Sequence, residues 1–197
     1  MSRLSVGTAR TPEALRFPAA VFVLLAVAAG TSWAADPVEP RTWSIELGIG
    51  AARVHQSGVL LSGGALGSAD DMGGFFKLGF GHTVNDHLVL GLEVGACFIR
   101  AGGSGENGIQ FFSGLVTGRI YPLKRSPFHF RLAGGTIVRS DHDTYQTPQH
   151  LGWEAGIGYD MRLTRSGHLT PFVAYQSAGP GGVATHTLMV GAAWGLW

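Results

Sequence analysis

The sequence predicts an all-β fold, an eight-stranded antiparallel up-and-down transmembrane β-barrel. One observation is a thirteen-residue stretch, 151–163, in which apolar residues alternate strictly with glycine or charge. A second is that comparable stretches occur eight times along the chain. A third is that the connections between them are alternately long and short, which is the asymmetry of transmembrane barrels.

The 151–163 stretch carries the clearest signal. Successive side chains of a strand point to opposite faces of the sheet. An alternation with a period of two therefore divides these residues between two surfaces. One surface is apolar or aromatic, and the other holds only glycine with Glu154, Asp160 and Arg162. Strands of soluble proteins are about 5–6 residues long, whereas a rise of about 3.3 Å per residue and a tilt of about 40° let a longer strand cross a hydrocarbon layer. We expect the apolar surface to face lipid.

The other seven stretches follow the same pattern with varying clarity. The eight predicted strands are 42–54, 73–84, 87–99, 109–121, 128–138, 151–163, 169–177 and 185–197. The fourth strand is the least clear, because both of its faces carry apolar residues. We expect its outward positions to be Phe112, Val116 and Ile120. We expect its inward positions to be Ser113, Thr117 and Arg119.

The connections complete the barrel prediction. The long ones are 55–71, 100–108, 139–150 and 177–184, and all are polar or rich in glycine. Open sheet edges do not occur in hydrocarbon, so the sheet must close. Eight strands leave an interior that side chains can just fill, and glycine suits an inner face where space is limited.

Residues 1–34 have the layout of a secretory signal peptide. Three arginines precede an apolar run, Phe17 to Ala29, and small residues precede a cut that we place after Ala34. The run is shorter than the ~20 residues of a spanning helix. The mature domain is then 35–197, and loss of three Arg and Glu13 changes 14 basic and 13 acidic residues to 11 and 12. No basic stripe remains, so nucleic acid is not an expected partner.

A soluble lipocalin-like barrel is the alternative fold. It also has eight up-and-down strands, but its apolar face points inward. Strand length and the aromatic residues of the apolar faces favour the membrane barrel. We expect five aromatic residues near strand ends to form two interfacial girdles: Trp43, Phe128, Trp153, Tyr175 and Trp197. The facing of Trp153, Ile157 and Tyr159 separates the two folds.

The chain resembles the outer-membrane β-barrel domain family, which includes the OmpA membrane domain and small opacity-type surface proteins. The resemblance covers about residues 40–197 and rests on the alternation, the loop asymmetry and short pieces. These pieces are Val84-Asn85-Asp86-His87-Leu88, Arg119-Ile120-Tyr121-Pro122 and Leu169-Thr170-Pro171-Phe172. It implies a monomer in the outer membrane of a Gram-negative-type cell. Its partners would be outer-membrane lipid, lipopolysaccharide and the barrel-assembly machinery.

Two departures from that family stand out. No peptidoglycan-binding domain follows the barrel, so a role in anchoring the cell wall is not implied. The family usually ends on Phe in phase with the apolar face, whereas here Leu196 is in phase and Trp197 is one residue beyond it.

The candidate site is a set of charges on the inner faces of the strands. Its members are Glu46, Lys77, Glu93, Arg119, His129, Arg131, Glu154, Asp160 and Arg162. A charge in a confined interior must be paired or hydrated, because desolvation costs several kcal/mol. We expect these residues to form a salt-bridge network that closes the barrel. The alternative is a narrow pore or carrier that opens when the ions change partners.

A lipid A-modifying enzyme is the second alternative. Such a site needs a nucleophilic Ser, a His base and an acidic residue within hydrogen-bond reach. The deacylase barrels carry His-x-Ser on a strand, whereas here the His-x-Ser spacing occurs at residues 55–57, in a predicted connection. Residues 140–143, Ser-Asp-His-Asp, lie in a polar connection where solvated side chains are usual. We therefore expect no catalytic site.

Neither a metal nor a cofactor is expected. His142 and His150 do not have a recognised ligand spacing, and Gly102 to Gly105 lacks the Lys and helix of a phosphate loop. The predicted role is structural or surface interaction, with the four long connections presenting a contact surface to a host or surface ligand.

Overall fold

The computed structural model describes residues 42–60, 66–99, 109–124, 126–140, 149–179 and 184–197. The predicted signal peptide, all of the predicted connection 100–108 and most of the predicted connection 139–150 lie outside these residues. The strands are β1 (Trp43–Leu60), β2 (Leu66–Asn85), β3 (Leu88–Ile99), β4 (Ile109–Ile120), β5 (Phe128–Ser140), β6 (Gln149–Tyr159), β7 (Met161–Arg162), β8 (Gly167–Ala178) and β9 (Ala184–Leu196). No helix in this part of the chain is long and apolar enough to cross a bilayer.

The sheet closes on itself. All neighbouring strands pair antiparallel in the order β6-β5-β4-β3-β2-β1-β9-β8-β7, and β6 also pairs with β8. The two-residue strand β7 continues β6 beyond Asp160, and both pair with β8. The barrel therefore has eight strands, which confirms the predicted fold class.

The two ends of the barrel differ. One end, called here the turn end, carries the short turns after β2, β4 and β7 together with residues 42 and 197. The turn after β2 is held by Asn85, whose Oδ1 accepts the backbone N–H of His87 at 2.8 Å. The opposite end, called the loop end, carries the connections that were predicted to be long.

The first of those connections is shorter than predicted. Residues 55–71 were expected to be loop, but β1 runs to Leu60 and β2 begins at Leu66. Cross-strand contacts hold this extension, because Asp70 on β2 lies 3.1 Å from His55 Nδ1 and 3.6 Å from Arg53 Nη2 on β1. The glycine and serine of this segment predict a loop, but the contacts of Arg53 and His55 with Asp70 favour paired strands.

The exterior is a belt of exposed apolar side chains. Leu92 and Val116, in the middle of their strands, are 62% and 63% exposed. Trp153 and Ile157 also face outward, which excludes the lipocalin-like arrangement. The fourth predicted strand faces as expected, with Phe112, Val116 and Ile120 exposed and with Thr117 and Arg119 buried.

The interior is more apolar than predicted. The inner face was expected to be glycine and charge, but the half nearer the loop end contains a packed apolar cluster. Phe75, Phe111, Leu115, Ile137 and Met189 are its large central members. Inward Phe111 and Leu115 account for the two apolar faces of β4.

Glycine makes room for one of these rings. A Cβ on Gly50 would lie 2.7 Å from the Phe75 ring and 2.2 Å from the Val190 carbonyl oxygen, and a Cβ on Gly191 would lie 2.6 Å from the same ring. All three distances are shorter than the contacts that real Cβ atoms make. The inward glycines therefore allow large side chains from opposite strands to meet across the narrow interior.

Arginine at the centre of the belt should destabilise the barrel. Leu92→Arg is expected to lower the free energy of unfolding in phospholipid vesicles by about 2–4 kcal/mol, because the guanidinium must enter hydrocarbon. Val84→Arg, at an exposed position near the turn end, is the matched control and should cost about 0–1 kcal/mol. Urea titration followed by tryptophan fluorescence measures both. Equal costs at the two positions would contradict the lipid-facing assignment.

Candidate functional site in the barrel interior

Four charged side chains form a closed ring across the barrel. Lys77 Nζ lies 2.6 Å from Glu154 Oε2 and 3.2 Å from Glu93 Oε1. Arg131 donates through Nε to Glu154 Oε1 at 2.8 Å and through Nη2 to Glu93 Oε2. Each carboxylate thus contacts both cations. We call Lys77, Glu93, Arg131 and Glu154 the charge ring.

The strand register places the ring. Its members are inward residues of β2, β3, β5 and β6, so the contacts cross the interior as well as linking neighbouring strands. Lys77 and Glu93 face glycines on the adjacent strands, Gly95 and Gly79. The ring is neutral and almost entirely buried. Such a group is stable only if every charge is paired, and here each charge lies within ion-pair distance of two charges of opposite sign.

A second cluster lies nearer the turn end. Arg119 on β4 donates to Glu46 Oε1 on β1 through Nη1 and to Ser44 Oγ at 3.3 Å through Nη2. His168 Nε2 on β8 lies 3.4 Å from the same Glu46 oxygen. Glu46 and Arg119 were expected in the interior. His168 lies between the predicted strands 151–163 and 169–177, where the sequence predicts a turn, yet it is part of β8 and completely buried.

Asp160, between β6 and β7, links β5, β8 and the residue that follows β4 at this level. Its Oδ2 accepts the Tyr121 hydroxyl at 2.8 Å, and its Oδ1 accepts the Thr170 hydroxyl at 2.7 Å. His129 Nδ1 lies 3.5 Å from Oδ2. Asp160 also donates its backbone N–H to the Pro127 carbonyl at 2.8 Å. We call Glu46, Arg119, His129, Asp160 and His168 the turn-end cluster.

The last residue closes this end of the interior. Trp197 stacks on His168 with ring centroids 4.3 Å apart, so it does not belong to an outer girdle as predicted. In the sequence, Trp197 is out of phase with the apolar residues of the last strand. In the structure, its ring accordingly lies on His168 and not on the outer surface. Gly195 permits the arrangement, because a Cβ there would lie 2.0 Å from the His168 ring.

Arg162 does not join the interior charges. It was predicted to face inward, but it is exposed and its Nε donates to the Thr164 carbonyl at 3.3 Å. The reason is its place in the two-residue strand β7 next to the turn, where His168 and Trp197 already fill the interior. The guanidinium therefore extends into solvent.

The space left between the charge ring and the turn-end cluster is small. A cavity of about 20 Å³ is lined by residues of both clusters, with Phe172 and Thr170 beside them. This volume holds about one water molecule. Beyond the charge ring, Phe75 and Phe172 pack with ring centroids 5.7 Å apart. Within the described residues the barrel is thus closed by two charged layers and an apolar layer.

A further group of polar side chains lies outside the barrel, near the loop end. His186 Nδ1 on β9 is 2.7 Å from the Tyr175 hydroxyl and 3.2 Å from Ser177 Oγ, both on β8. His186 also stacks beside His55 on β1, with centroids 6.3 Å apart, and His55 contacts Asp70 on β2 as described above. We call Tyr175, Ser177, His186, His55 and Asp70 the wall row.

Sequence reasoning did not identify the wall row. Strand register brings its members side by side, because His55 pairs with both His186 and Asp70, and Ser177 pairs with His186. The sequence does contain one indication of this group: the outward-facing residues of β1, β8 and β9 change from apolar to polar toward the loop end. Among the described residues no group of three or more His, Cys, Asp or Glu has the geometry of a metal site.

Comparison with solved structures gives the same architecture. Neisserial surface protein A matches with a TM-score of 0.52 and 18% identity, over 79% of this chain and 97% of that protein. Ail, the attachment invasion locus protein of Yersinia pestis, matches with a TM-score of 0.50 and 13% identity, over 79% and 100%. The chain has the fold of a small outer-membrane β-barrel. No family model and no curated protein matches the sequence.

The exterior of this barrel agrees with the predicted location. An apolar belt surrounds the strands, and Trp43 at the turn end and Trp153 toward the loop end are exposed on it. Such a belt bounded by aromatic residues is the surface that outer-membrane barrels present to lipid.

Loss of one carboxylate from the charge ring should be costly. Glu154→Gln leaves Lys77 and Arg131 to share Glu93, so the free energy of unfolding is expected to fall by about 3–5 kcal/mol. The control is Asp86→Asn, which breaks the exposed 2.6 Å pair with Lys124 and should cost about 0–1 kcal/mol. Urea unfolding in vesicles measures both. A loss below 1 kcal/mol for Glu154→Gln would contradict the paired ring.

Proposed function

We propose that this protein is a closed, non-conducting outer-membrane barrel whose role is structural or surface interaction. The observation that carries the proposal is the filled interior, in which the charge ring separates the turn-end cluster from the apolar layer. A molecule that does not transport through its interior can act only through its two ends and its wall.

The loop end is the proposed contact surface. Residue 42 lies at the turn end and comes shortly after the predicted signal peptide. The turn end would therefore remain on the periplasmic side of the membrane. The connections at the opposite end would then face outside, as in transmembrane barrels with long outer loops. Of the four predicted connections, only parts of 55–71, 139–150 and 177–184 are described, and these parts are mainly strand.

The proposed partners follow from this arrangement. They are outer-membrane lipid and lipopolysaccharide around the belt, the barrel-assembly machinery during insertion, and a host or surface ligand at the loop end. A monomer is proposed. Nucleic acid is not, because the mature chain has no basic stripe.

The filled interior supports a narrow pore less well than it supports a closed barrel. Opening would require Lys77 and Arg131 to leave two carboxylates each, in a setting where an unpaired charge costs several kcal/mol. It would also require the Phe75 and Phe172 rings to separate. No observation in the described part of the barrel supplies new partners for these groups.

Conductance tests the closed state directly. The refolded protein in a planar bilayer should show no current steps above the leak at 100 mV, because the space between the charge ring and the turn-end cluster holds about one water. A porin added to the same bilayer is the positive control. A stable open state would contradict the closed-barrel proposal and favour the pore.

A lipid-modifying enzyme has two observations in its favour. His55 and Ser57 on β1 have the His-x-Ser spacing, and His55 Nδ1 lies 3.1 Å from Asp70 Oδ1, but Ser57 Oγ donates to the Ala184 carbonyl at 3.3 Å. The second observation is a Ser–His pair on the neighbouring strands. Ser177 Oγ lies 3.2 Å from His186 Nδ1 on the outward face, where lipid would approach. However, the Tyr175 hydroxyl lies closer to the same nitrogen, and Asp70 contacts His55 and not His186. A Ser–His pair without an acidic partner lacks the group that orients the base.

We therefore expect no hydrolysis of lipid. Cells expressing the wild-type chain should retain all lipid A acyl chains, measured by mass spectrometry of extracted lipid. Ser177→Ala is the matched variant and should give the same spectrum. Loss of an acyl chain with the wild type, restored by Ser177→Ala, would overturn the non-enzymatic proposal.

A further inference from the structure

Trp197 covers the turn-end cluster but lies outside the paired sheet. Leu196 is the last residue of β9, and Trp197 follows it. Trp197 is held by the stack of its ring on His168 and by its backbone N–H, which donates to the Ser166 carbonyl at 2.9 Å. The ring can therefore move away from the interior while every strand pairing of the barrel is kept.

The charges that this ring covers do not balance unless a histidine is protonated. The turn-end cluster contains two carboxylates, Glu46 and Asp160, and one guanidinium, that of Arg119, and all three are almost fully buried. The charge ring at the next level is neutral by itself and supplies no compensation. An uncompensated buried charge is strongly unfavourable. One proton on His129 or His168 makes the turn-end cluster neutral.

Each of these two histidines faces one of the carboxylates. His168 Nε2 lies 3.4 Å from Glu46 Oε1, and His129 Nδ1 lies 3.5 Å from Asp160 Oδ2. The groups around them that titrate or carry charge are Glu46 from β1, Arg119 and the following Tyr121 from β4, and Asp160 from between β6 and β7. At this level β2, β3 and β9 place Gly81, Val89 and Gly195, which take up no proton, and Arg162 of β7 extends into solvent.

The closed arrangement also contains buried ring nitrogens without hydrogen bonds. Within the described residues, Nδ1 and Nε2 of His168, Nδ1 of His129 and Nε1 of Trp197 have no hydrogen-bond partner. A buried polar group without a partner is unfavourable, and water that entered from the turn end would supply one. Water entry is therefore opposed mainly by the neutrality of the cluster and by the stacked ring of Trp197.

We propose that Trp197 is a pH-sensitive lid on the turn end of the barrel. While His129 or His168 carries a proton, the turn-end cluster is neutral and the ring of Trp197 stays on His168. When this proton is lost, two carboxylates face one guanidinium, water enters to hydrate them, and Trp197 moves outward. The closed state binds one proton more than the open state, so its stability falls as the pH rises.

The lid controls only the part of the interior next to the turn end. The charge ring is balanced without a histidine, and the packed rings of Phe75 and Phe172 lie beyond it. Release of Trp197 therefore leaves the barrel closed along its axis. The inference goes beyond the closed-barrel proposal and does not depend on it.

Quenching of tryptophan fluorescence by acrylamide tests the lid in the full chain, refolded in phosphatidylcholine vesicles. Trp33, Trp43, Trp153 and Trp194 are replaced by Phe, so that Trp197 reports alone and the pH response of the stack between Trp43 and His82 is removed. The measurement runs from about pH 5 to about pH 9, which brackets the titration of histidine. Trp197 should be shielded at the acidic end and accessible at the basic end. The ratio of open to closed molecules should rise about tenfold per pH unit during the transition, because one proton is released.

Variants on this background separate charge balance from a simple loss of packing. Glu46→Gln removes one carboxylate and makes the cluster neutral without a proton, so Trp197 should stay shielded even at the basic end. Asp160→Asn makes the same change of charge at the other carboxylate and should give the same result. The double variant His129→Gln/His168→Gln cannot bind the proton, and its Trp197 should be accessible throughout. The control is His87→Gln, which removes an exposed histidine of the turn end and should leave the pH profile unchanged. Circular dichroism would establish that each variant is folded.

Three results would overturn the proposal. The first is quenching of Trp197 that is independent of pH, or that decreases as the pH rises. The second is an unchanged pH profile in folded Glu46→Gln and Asp160→Asn, since the proton would then not balance these carboxylates. The third is loss of the transition in His87→Gln, which would assign the titration to the exposed histidine.

Discussion

The closure of the sheet is the constraint on which the rest of the structure depends. In hydrocarbon, an unpaired backbone group costs several kcal/mol, so a strand can cross only if both of its edges are paired. Here β1 and β9 supply one closing seam, and β8 joins β6 and β7 in the remaining one. Closure with eight strands fixes a narrow interior, and every inward side chain must then find its partners within that space.

The interior meets this requirement in two chemically distinct ways. Toward the loop end, Phe75, Phe111 and Met189 pack as in a soluble core, with glycines admitting the rings. Toward the turn end, charges are paired, and each carboxylate of the charge ring contacts two cations. The apolar layer limits the access of water from one side, and the stacked rings of His168 and Trp197 limit it from the other. The charge ring has a low solvent exposure because the apolar layer and the stacked His168 and Trp197 rings shield it from both sides.

Much of the fold could be predicted because period-two alternation reports directly on which face meets lipid. The outward sets of β4 and β6 follow from it, as does the strand number. The pairing of charges could not be predicted, since contacts such as Arg131 with Glu93 depend on the width of the closed barrel. His168 and Trp197 were misplaced because local sequence suggested a turn and a terminal girdle. The wall row was missed because its members come from four strands, and only the register places them together.

The seam between β1 and β9 has a consequence for folding. Ile45 pairs with Leu196 and Ser57 with Ala184, so the seam joins residues from opposite ends of the domain. Pairings of such large sequence separation form slowly, and this one must wait until the last strand is available. During that interval the edge of β1 carries thirteen residues that later pair with β9, and an unpaired edge of this kind readily accepts a strand from another chain. The time for which this edge stays open sets the risk of misassembly.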